Sequence, residues 1–320
     1  MKLQAKHILS VLQFTKEDVV RYIERAIRFK QDSINKTITR YSSKTLLTFF
    51  SEPSTRTLCS FHAAACKLGY KVISITEQGS STQKGETLED TIKTLQYYGD
   101  AIILRHPEKG SSVKASNVSK LPIINAGDGN GEHPTQALLD IFTIYTELQK
   151  RNIDLYDENR PPITITFTGD LKNSRTIHSL IHVLSMFPNI RFVYISPPTL
   201  EMPSDIIEKM DKLQIEQQVS SSICDSIMDT DILYVTRIQK ERFATEREYF
   251  AITLSHQYTH FRVTPDILQL AKSTALIMHP LPRSTELSPD IDNDPRAVYF
   301  TQVENGVYMR MAILEDIFIQ

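Results

Sequence analysis

Short apolar runs and helical periodicities alternate along this chain. Runs at 45–50, 72–75, 101–104 and 122–124 read as strands, and apolar positions three and four apart predict helices over 55–68, 87–98 and 135–148. Ahead of them, Thr15 and Asp18 make a capping-box-like pair that opens a helix with the stripe Val19, Ile23, Ala26 and Ile27. Gly69 and Gly99 stand where helix C-caps are expected. A polar stretch with paired prolines, RNIDLYDENRPP at 151–162, breaks the rhythm and reads as a domain junction. Strands resume at 163–167, 191–195, 232–235 and 275–278, with helices over 174–185, 204–212 and 264–271 and a last one over 303–318. Strand–helix alternation marks a parallel sheet covered by helices. The expected fold is α/β, with two doubly wound parallel-sheet domains and helices on both faces. One domain is expected over 1–150 and the other over 151–320, with a C-terminal helix at about 300–320 packing back on the first.

Composition narrows the function by exclusion. A chain of 320 residues is long for one core, which supports the two-domain reading. Its net charge of −2 supplies no basic field for nucleic acid. No apolar stretch approaches the ~20 residues of a membrane span. The opening run MKLQAKHILSVLQFT is interrupted by His7, Ser10 and Gln13 and makes a poor signal peptide. Cys59, Cys66 and Cys224 are odd in number and form no CxxC, which fits a reducing cytoplasm. Cys59 and Cys66, seven apart in a helix, are expected to be small buried hydrophobes. Neither nucleic acid nor membrane is an expected partner.

Candidate chemistry lies where strands give way to helices. Ser51-Glu-Pro-Ser-Thr-Arg-Thr57 opens the helix over 55–68; free N–H groups and the positive dipole end suit a phosphate there. The hydroxyls of Ser54, Thr55 and Thr57 and the guanidinium of Arg56 add donors. A capped helix with an incidental arginine accounts for those residues equally well. No Walker loop is present, so a nucleoside triphosphate is not implied. Ser80-Ser-Thr-Gln-Lys-Gly85 is a cationic loop, and Arg105 ends a strand at its carboxyl edge. His133-Pro-Thr-Gln136 starts a helix after a Gly-rich turn, with donors suited to a carbonyl oxygen, although plain capping explains it too. Gly169-Asp-Leu-Lys-Asn-Ser-Arg-Thr176 lacks GxGxxG, so no dinucleotide cofactor is expected. Arg175 and Arg237 each fall just past a strand, with Gln239 following, and two arginines suit two carboxylates. The stiff turn His279-Pro-Leu-Pro-Arg283 can aim backbone carbonyls at an N–H. The pairs His178/His182 and His256/His260 have chelating spacing but no HExxH glutamate and no third ligand, so no metal is expected. Beyond Gln239, the run to Arg242 reads mainly as a solvated mixed-charge face.

The ordered set PSTRT, S-x3-KGETLxDT, RHP, NAGDG…HPTQALLD, GDLKxxRTxHSL, TRxQKER and HPLPR resembles the catalytic chains of aspartate carbamoyltransferases across residues 51–283. An NG-x3-R near Asn305–Arg310 continues the pattern. The resemblance implies a cofactor-free enzyme of pyrimidine biosynthesis that moves the carbamoyl group of carbamoyl phosphate to L-aspartate. It assigns the phosphate to Ser54, Thr55, Arg56, Thr57 and Arg105, and the carbonyl oxygen to Thr57, Arg105 and His133. It gives the carbamoyl NH2 to Gln136 and the backbone carbonyls of Leu281 and Pro282, and aspartate to Arg175, Arg237 and Gln239. Ser80 and Lys84 are implied to enter from the adjacent subunit of a homotrimer. Some relatives carry a second lysine where this chain has Gln83. Whether separate regulatory chains bind stays open.

Two alternatives stand beside this reading. Ornithine carbamoyltransferases share the phosphate half but carry an HCLP turn and an SMG loop. Pro280 replaces that cysteine here, SMG is absent, and paired arginines disfavour an ammonium group. A silent scaffold homologue is the other alternative, yet every phosphate and lysine-loop residue of the pattern is present.

Overall fold

The computed structural model describes residues 6–32, 40–76 and 85–318. The chain forms two compact units, Met1–Phe142 with Val303–Gln320, and Thr143–Gln302.

Unit 1 runs α1 (Lys16–Asp32), β1 (Thr45–Phe50), α2 (Thr55–Leu68), β2 (Lys71–Thr76), α3 (Leu88–Leu95), β3 (Ala101–His106), α4 (Ser111–Val118), β4 (Ile123–Asp128) and the start of α5 (Pro134–Lys150). Its strands are parallel in the order β2-β1-β3-β4. Strand side chains alternate between faces. Leu47, Phe49, Ile102, Leu104 and Ile123 therefore share one face, packed with Ile92 of α3 and Ala115 of α4. The capping box is formed: Asp18 Oδ2 accepts the Thr15 N–H at 3.0 Å, and Thr15 Oγ1 accepts the Asp18 N–H at 3.2 Å.

Unit 2 continues with β5 (Ile163–Thr168), α6 (Arg175–Leu184), β6 (Ile190–Ile195), α7 (Ser204–Lys212), β7 (Glu216–Ser220), α8 (Ile223–Ser226), β8 (Ile232–Val235), α9 (Glu246–Thr253), α10 (Pro265–Leu270) and β9 (Leu276–Met278). Its parallel order is β7-β6-β5-β8-β9. Val193, Ile195, Leu233, Val235 and Ile277 pack one face with Ile223 and Leu268. The alternate positions carry Phe167, Phe192 and Tyr234, whose rings meet at 5.7 and 5.9 Å. The 151–162 stretch is pinned within this unit, because the Arg160 guanidinium donates to the carbonyls of Asp154, Leu155, Pro161, Pro188 and Asn189.

The last helix, α11 (Tyr299–Asp316), ends in unit 1. There the buried Asp316 carboxylate accepts from Tyr22 Oη at 2.7 Å and from Lys6 and Arg25.

Three expectations are corrected. Gly69 does cap α2 in the left-handed region at φ 84°, but α3 ends earlier, at Gln96. Gly99 serves a close approach instead, since a Cβ there would lie 2.7 Å from Leu47 Cγ and 3.0 Å from the Thr45 carbonyl. Cys59 and Cys66 are exposed rather than buried. The inward stripe of α2 is Thr57, Ser60, Phe61, Ala64, Ala65 and Leu68, and both cysteines fall off it. Helix α4 and the edge strand β7 lie where no element was expected.

Candidate active site

Each sheet reverses its strand order once, between β1 and β3 in unit 1 and between β5 and β8 in unit 2. Ligands of doubly wound sheets bind beyond the strand carboxyl ends at such points. Ser54–Thr57 and Arg105 lie at the first and Arg175, Arg237 and Gln239 at the second, while His133 and Gln136 follow the edge strand β4 and Leu281 and Pro282 follow the edge strand β9.

In unit 1, β1 delivers the segment 51–57 and β3 delivers Arg105 next to it, with the Ser51 N–H donating to the Arg105 carbonyl at 2.8 Å. Ser54 is the N-cap of α2, but its hydroxyl makes no capping bond. Thr57 is buried, whereas Thr55 and Arg56 face solvent. Arg105 is only 7% exposed. Its Nη1 donates to the Ala126 carbonyl at 3.1 Å, and its Nη2 lies 3.1 Å from Glu52 Oε1. These contacts fix the guanidinium plane at the sheet edge.

β4 brings in His133 through the turn 127–131. Asp128 organises that turn: Oδ1 accepts the Glu132 N–H at 2.7 Å, and Oδ2 accepts the Gly110 N–H at 2.8 Å, tying it to the loop after β3. Gly129 has φ +53°, and a Cβ there would lie 2.2 Å from the Pro107 carbonyl, so only glycine lets the two loops touch. His133, 4% exposed, precedes α5. Gln136, one turn on, donates through Nε2 to Asp140 Oδ1 at 2.9 Å. Behind them lies Arg310 of α11, whose Nη1 donates to Ser60 Oγ at 2.9 Å, with the guanidinium 5.0 Å from the Phe61 ring centre. Burial pulls its pKa down to about 10, with Arg105 acting the same way and Asp140 opposing.

In unit 2, Gly169 has φ +111°, and a Cβ would sit 2.0 Å from the Thr236 carbonyl, so the loops after β5 and β8 run in contact. Asp170 fastens them: it accepts from the Asn173 backbone N–H and Nδ2 at 3.0 Å and from the Gln239 backbone. Burial raises its pKa, against those bonds and the Arg237 charge. Arg175 thus starts α6 on one loop while Arg237 and Gln239 lie on the other. Glu241 grips Arg237, with Oε2 accepting from Nη1 at 3.0 Å and Oε1 paired with Nη2. That bond raises the Arg237 pKa despite burial. Lys240, Glu241 and Arg242 are exposed as a mixed-charge face, within which Glu241 is also an arginine partner.

The turn after β9 carries Leu281 and Pro282. His279 Nδ1 accepts the Leu281 N–H at 2.8 Å, and its Nε2 lies 2.9 Å from Glu286 Oε1, which also accepts the Ser284 N–H at 2.9 Å. Burial opposes charge on Glu286, but these bonds hold its pKa below the ordinary carboxylate value. His178 Nε2 is 2.7 Å from the Leu171 carbonyl, a structural contact within unit 2. Ser80 and Lys84 lie outside the described residues.

Asp140, Glu241 and Arg310 stand within the sequence motifs, which assign them no role, and Glu52 is assigned none either. Asp140 and Glu241 each fall four residues from a candidate, a usable helical or turn spacing. Nothing in the sequence points Glu52 at Arg105.

The two halves match two adjoining family profiles. The carbamoyl-P binding domain of aspartate/ornithine carbamoyltransferases matches residues 6–146, and the Asp/Orn binding domain matches residues 162–317. The chain belongs to the aspartate/ornithine carbamoyltransferase family. It is 42% identical over 315 residues to the aspartate carbamoyltransferase catalytic subunit of Methanocaldococcus jannaschii, covering 98% of this chain and 97% of that one. It is 45% identical to the multifunctional protein pyr1-3 of Dictyostelium discoideum over 99% of its own length. It spans only 14% of that larger relative. Among solved structures, aspartate transcarbamoylase from Trypanosoma cruzi in complex with N-(phosphonacetyl)-L-aspartic acid superposes with a TM-score of 0.88 at 38% identity, covering 98% of this chain and 95% of that one. The two-sheet α/β fold of the family is thus the fold of this chain. Among its described residues, no helix is long and apolar enough to cross a membrane.

Proposed function

We propose that this chain is an aspartate carbamoyltransferase that makes N-carbamoyl-L-aspartate and phosphate for pyrimidine biosynthesis in the cytoplasm. The observation that carries the reading is the chemistry at the two strand-order reversals. One presents a helix N-terminus with hydroxyls, Arg56 and Arg105; the other presents Arg175, Arg237 and Gln239 on loops joined by Asp170. The first suits a phosphate dianion and the second a dicarboxylate.

In this reading the first domain holds carbamoyl phosphate. Ser54, Thr55, Arg56, Thr57 and Arg105 grip the phosphate, and Thr57, Arg105 and His133 polarise the carbonyl. Gln136 and the Leu281 and Pro282 carbonyls receive the NH2. Arg175, Arg237 and Gln239 hold the aspartate carboxylates. The amine nitrogen attacks the carbonyl carbon, the C–O bond to phosphate breaks, and the departing phosphate takes the amine proton. Carbamoyl phosphate is already activated, so orientation worth ~7–11 kcal/mol and oxyanion donors worth ~2.7–4 kcal/mol each can supply the catalysis without a cofactor. Completion of the site by Ser80 and Lys84 of a neighbouring chain in a homotrimer belongs to the same proposal.

The M. jannaschii and T. cruzi relatives support aspartate over ornithine. A colorimetric assay of carbamoylated product with the two amino acids side by side tests the choice. Product with aspartate alone is expected; product with ornithine alone, or with neither, overturns it.

A further inference from the structure

The amide of Gln136 is set in one orientation by a buried neighbour. Gln136 Nε2 lies 2.9 Å from Asp140 Oδ1, one helical turn further along α5. Asp140 has no exposed surface, and an ionised carboxylate only accepts hydrogen bonds. The amide must therefore turn its NH2 toward Asp140, leaving Oε1 as the group that can face a ligand. Arg310 supplies a buried positive charge that interacts electrostatically with that carboxylate. Arg310 is 3% exposed and stays cationic at neutral pH even with a pKa lowered to about 10 by burial, a lowering that Asp140 opposes. Room for Arg310 comes from Gly306, where a Cβ would lie 2.7 Å from Arg310 Nη1 and 3.2 Å from Leu139 Cδ2.

We infer that Asp140, supported by Arg310, is a positioning residue that makes position 136 selective for an acyl phosphate bearing an N–H donor. The inference rests on the proposal above that Gln136 receives the carbamoyl NH2. Acetyl phosphate, with a methyl group in place of the NH2, offers no donor to a fixed acceptor. An unfixed amide can rotate and does not penalise the methyl compound in the same way.

The test is Asp140→Asn in the full-length protein, a near-isosteric change that gives Gln136 a neighbour able both to donate and to accept. Inhibition by acetyl phosphate and KM for carbamoyl phosphate are measured with aspartate saturating, beside the dissociation constant of inorganic phosphate. Carbamoyl phosphate is expected to lose about tenfold of its preference over acetyl phosphate, the worth of one well-placed hydrogen bond, while phosphate binding is unchanged. Asp140→Glu, still acceptor-only, is expected to restore part of the preference. A folded Asp140→Asn protein that keeps the wild-type preference overturns the inference and leaves the function standing. A wild-type protein that binds both acyl phosphates equally overturns the reading of Gln136, and this inference with it. If Asp140→Asn does not fold, the side-chain amide signal of Gln136 in the 15N spectrum of the wild type decides, assigned by its loss in Gln136→Leu. A scalar coupling through the hydrogen bond from the Gln136 Nε2–H to the Asp140 carboxyl carbon is expected to persist when carbamoyl phosphate displaces phosphate. Loss of that coupling on the exchange means that the nitrogen leaves Asp140 for the ligand, and overturns the inference.

Discussion

Glu52 Oε1 stands 3.1 Å from Arg105 Nη2, so a carboxylate occupies one prong of the guanidinium that the proposed site needs for phosphate. A dianion must compete with Glu52 for that prong. Glu52→Gln removes the competing charge while leaving a similar shape, and inorganic phosphate should bind roughly three- to tenfold more tightly. Calorimetry with phosphate checks this; unchanged or weaker binding means that Glu52 helps to hold Arg105 in its working position.

Replacement of Arg237 should act on one ligand only. Arg237 and its fork partner Glu241 lie in unit 2, while Arg56 and Arg105 belong to unit 1. Arg237→Ala should weaken succinate binding by tenfold or more, about the worth of a charged hydrogen bond, and leave phosphate binding unaltered. Glu241→Gln should give a smaller loss of the same kind, because it loosens the guanidinium without removing it. Equal losses for succinate and phosphate count against the division of ligands.

The proposed trimer has a test of its own. Arg56 is exposed, so Arg56→Ala should fold normally and lose orders of magnitude in turnover. Lys84→Ala should do the same. If each site takes Arg56 from one chain and Lys84 from the next, every mixed trimer of the two variants keeps one intact site. Activity should therefore return when the variants are dissociated and reassembled together. Mixed trimers confirmed by mass spectrometry but still inactive exclude a shared site.

A fourth expectation concerns acid. Asp292 receives both terminal nitrogens of Arg283 and the Tyr299 hydroxyl, and the Arg283 bonds draw its pKa down to about 2. A carboxyl depressed on folding stabilises the fold above its unfolded pKa, and that share is lost as pH falls through the folded value. Asp292→Asn should therefore cost about 1 kcal/mol at neutral pH after solvent screening. The difference in urea midpoints should close between about pH 4 and pH 2. A gap that persists at pH 2 points to lost packing instead of lost charge.

How legible these features are in sequence depends on how local their causes are. Strands such as β5 and β8 are buried on both faces, so they read as runs of apolar and β-branched residues, ITITFT and ILYV. β7, with the sequence EQQVS, is a solvent-facing edge strand and offers no such run. α4, rich in serine, has no clear apolar stripe. Motif residues such as Arg56 and Arg237 are visible because turns and helix starts are local. Their carboxylate partners are harder to find: the pairing of Glu52 with Arg105 exists only once β1 and β3 lie side by side.

The burial of Asp316 against Lys6, Tyr22 and Arg25 sets an order of events during synthesis. The partners are separated by about the whole chain, with a span of 310 residues from Lys6 to Asp316. Unit 2 is a single continuous segment, so all of its strands have left the ribosome before α11 is complete. Unit 1 must wait, its first helix and four strands already made but lacking the helix that packs on α1 and α2. Until translation passes residue 316, that half is an unfinished apolar surface, and the nascent chain has most need of a chaperone there.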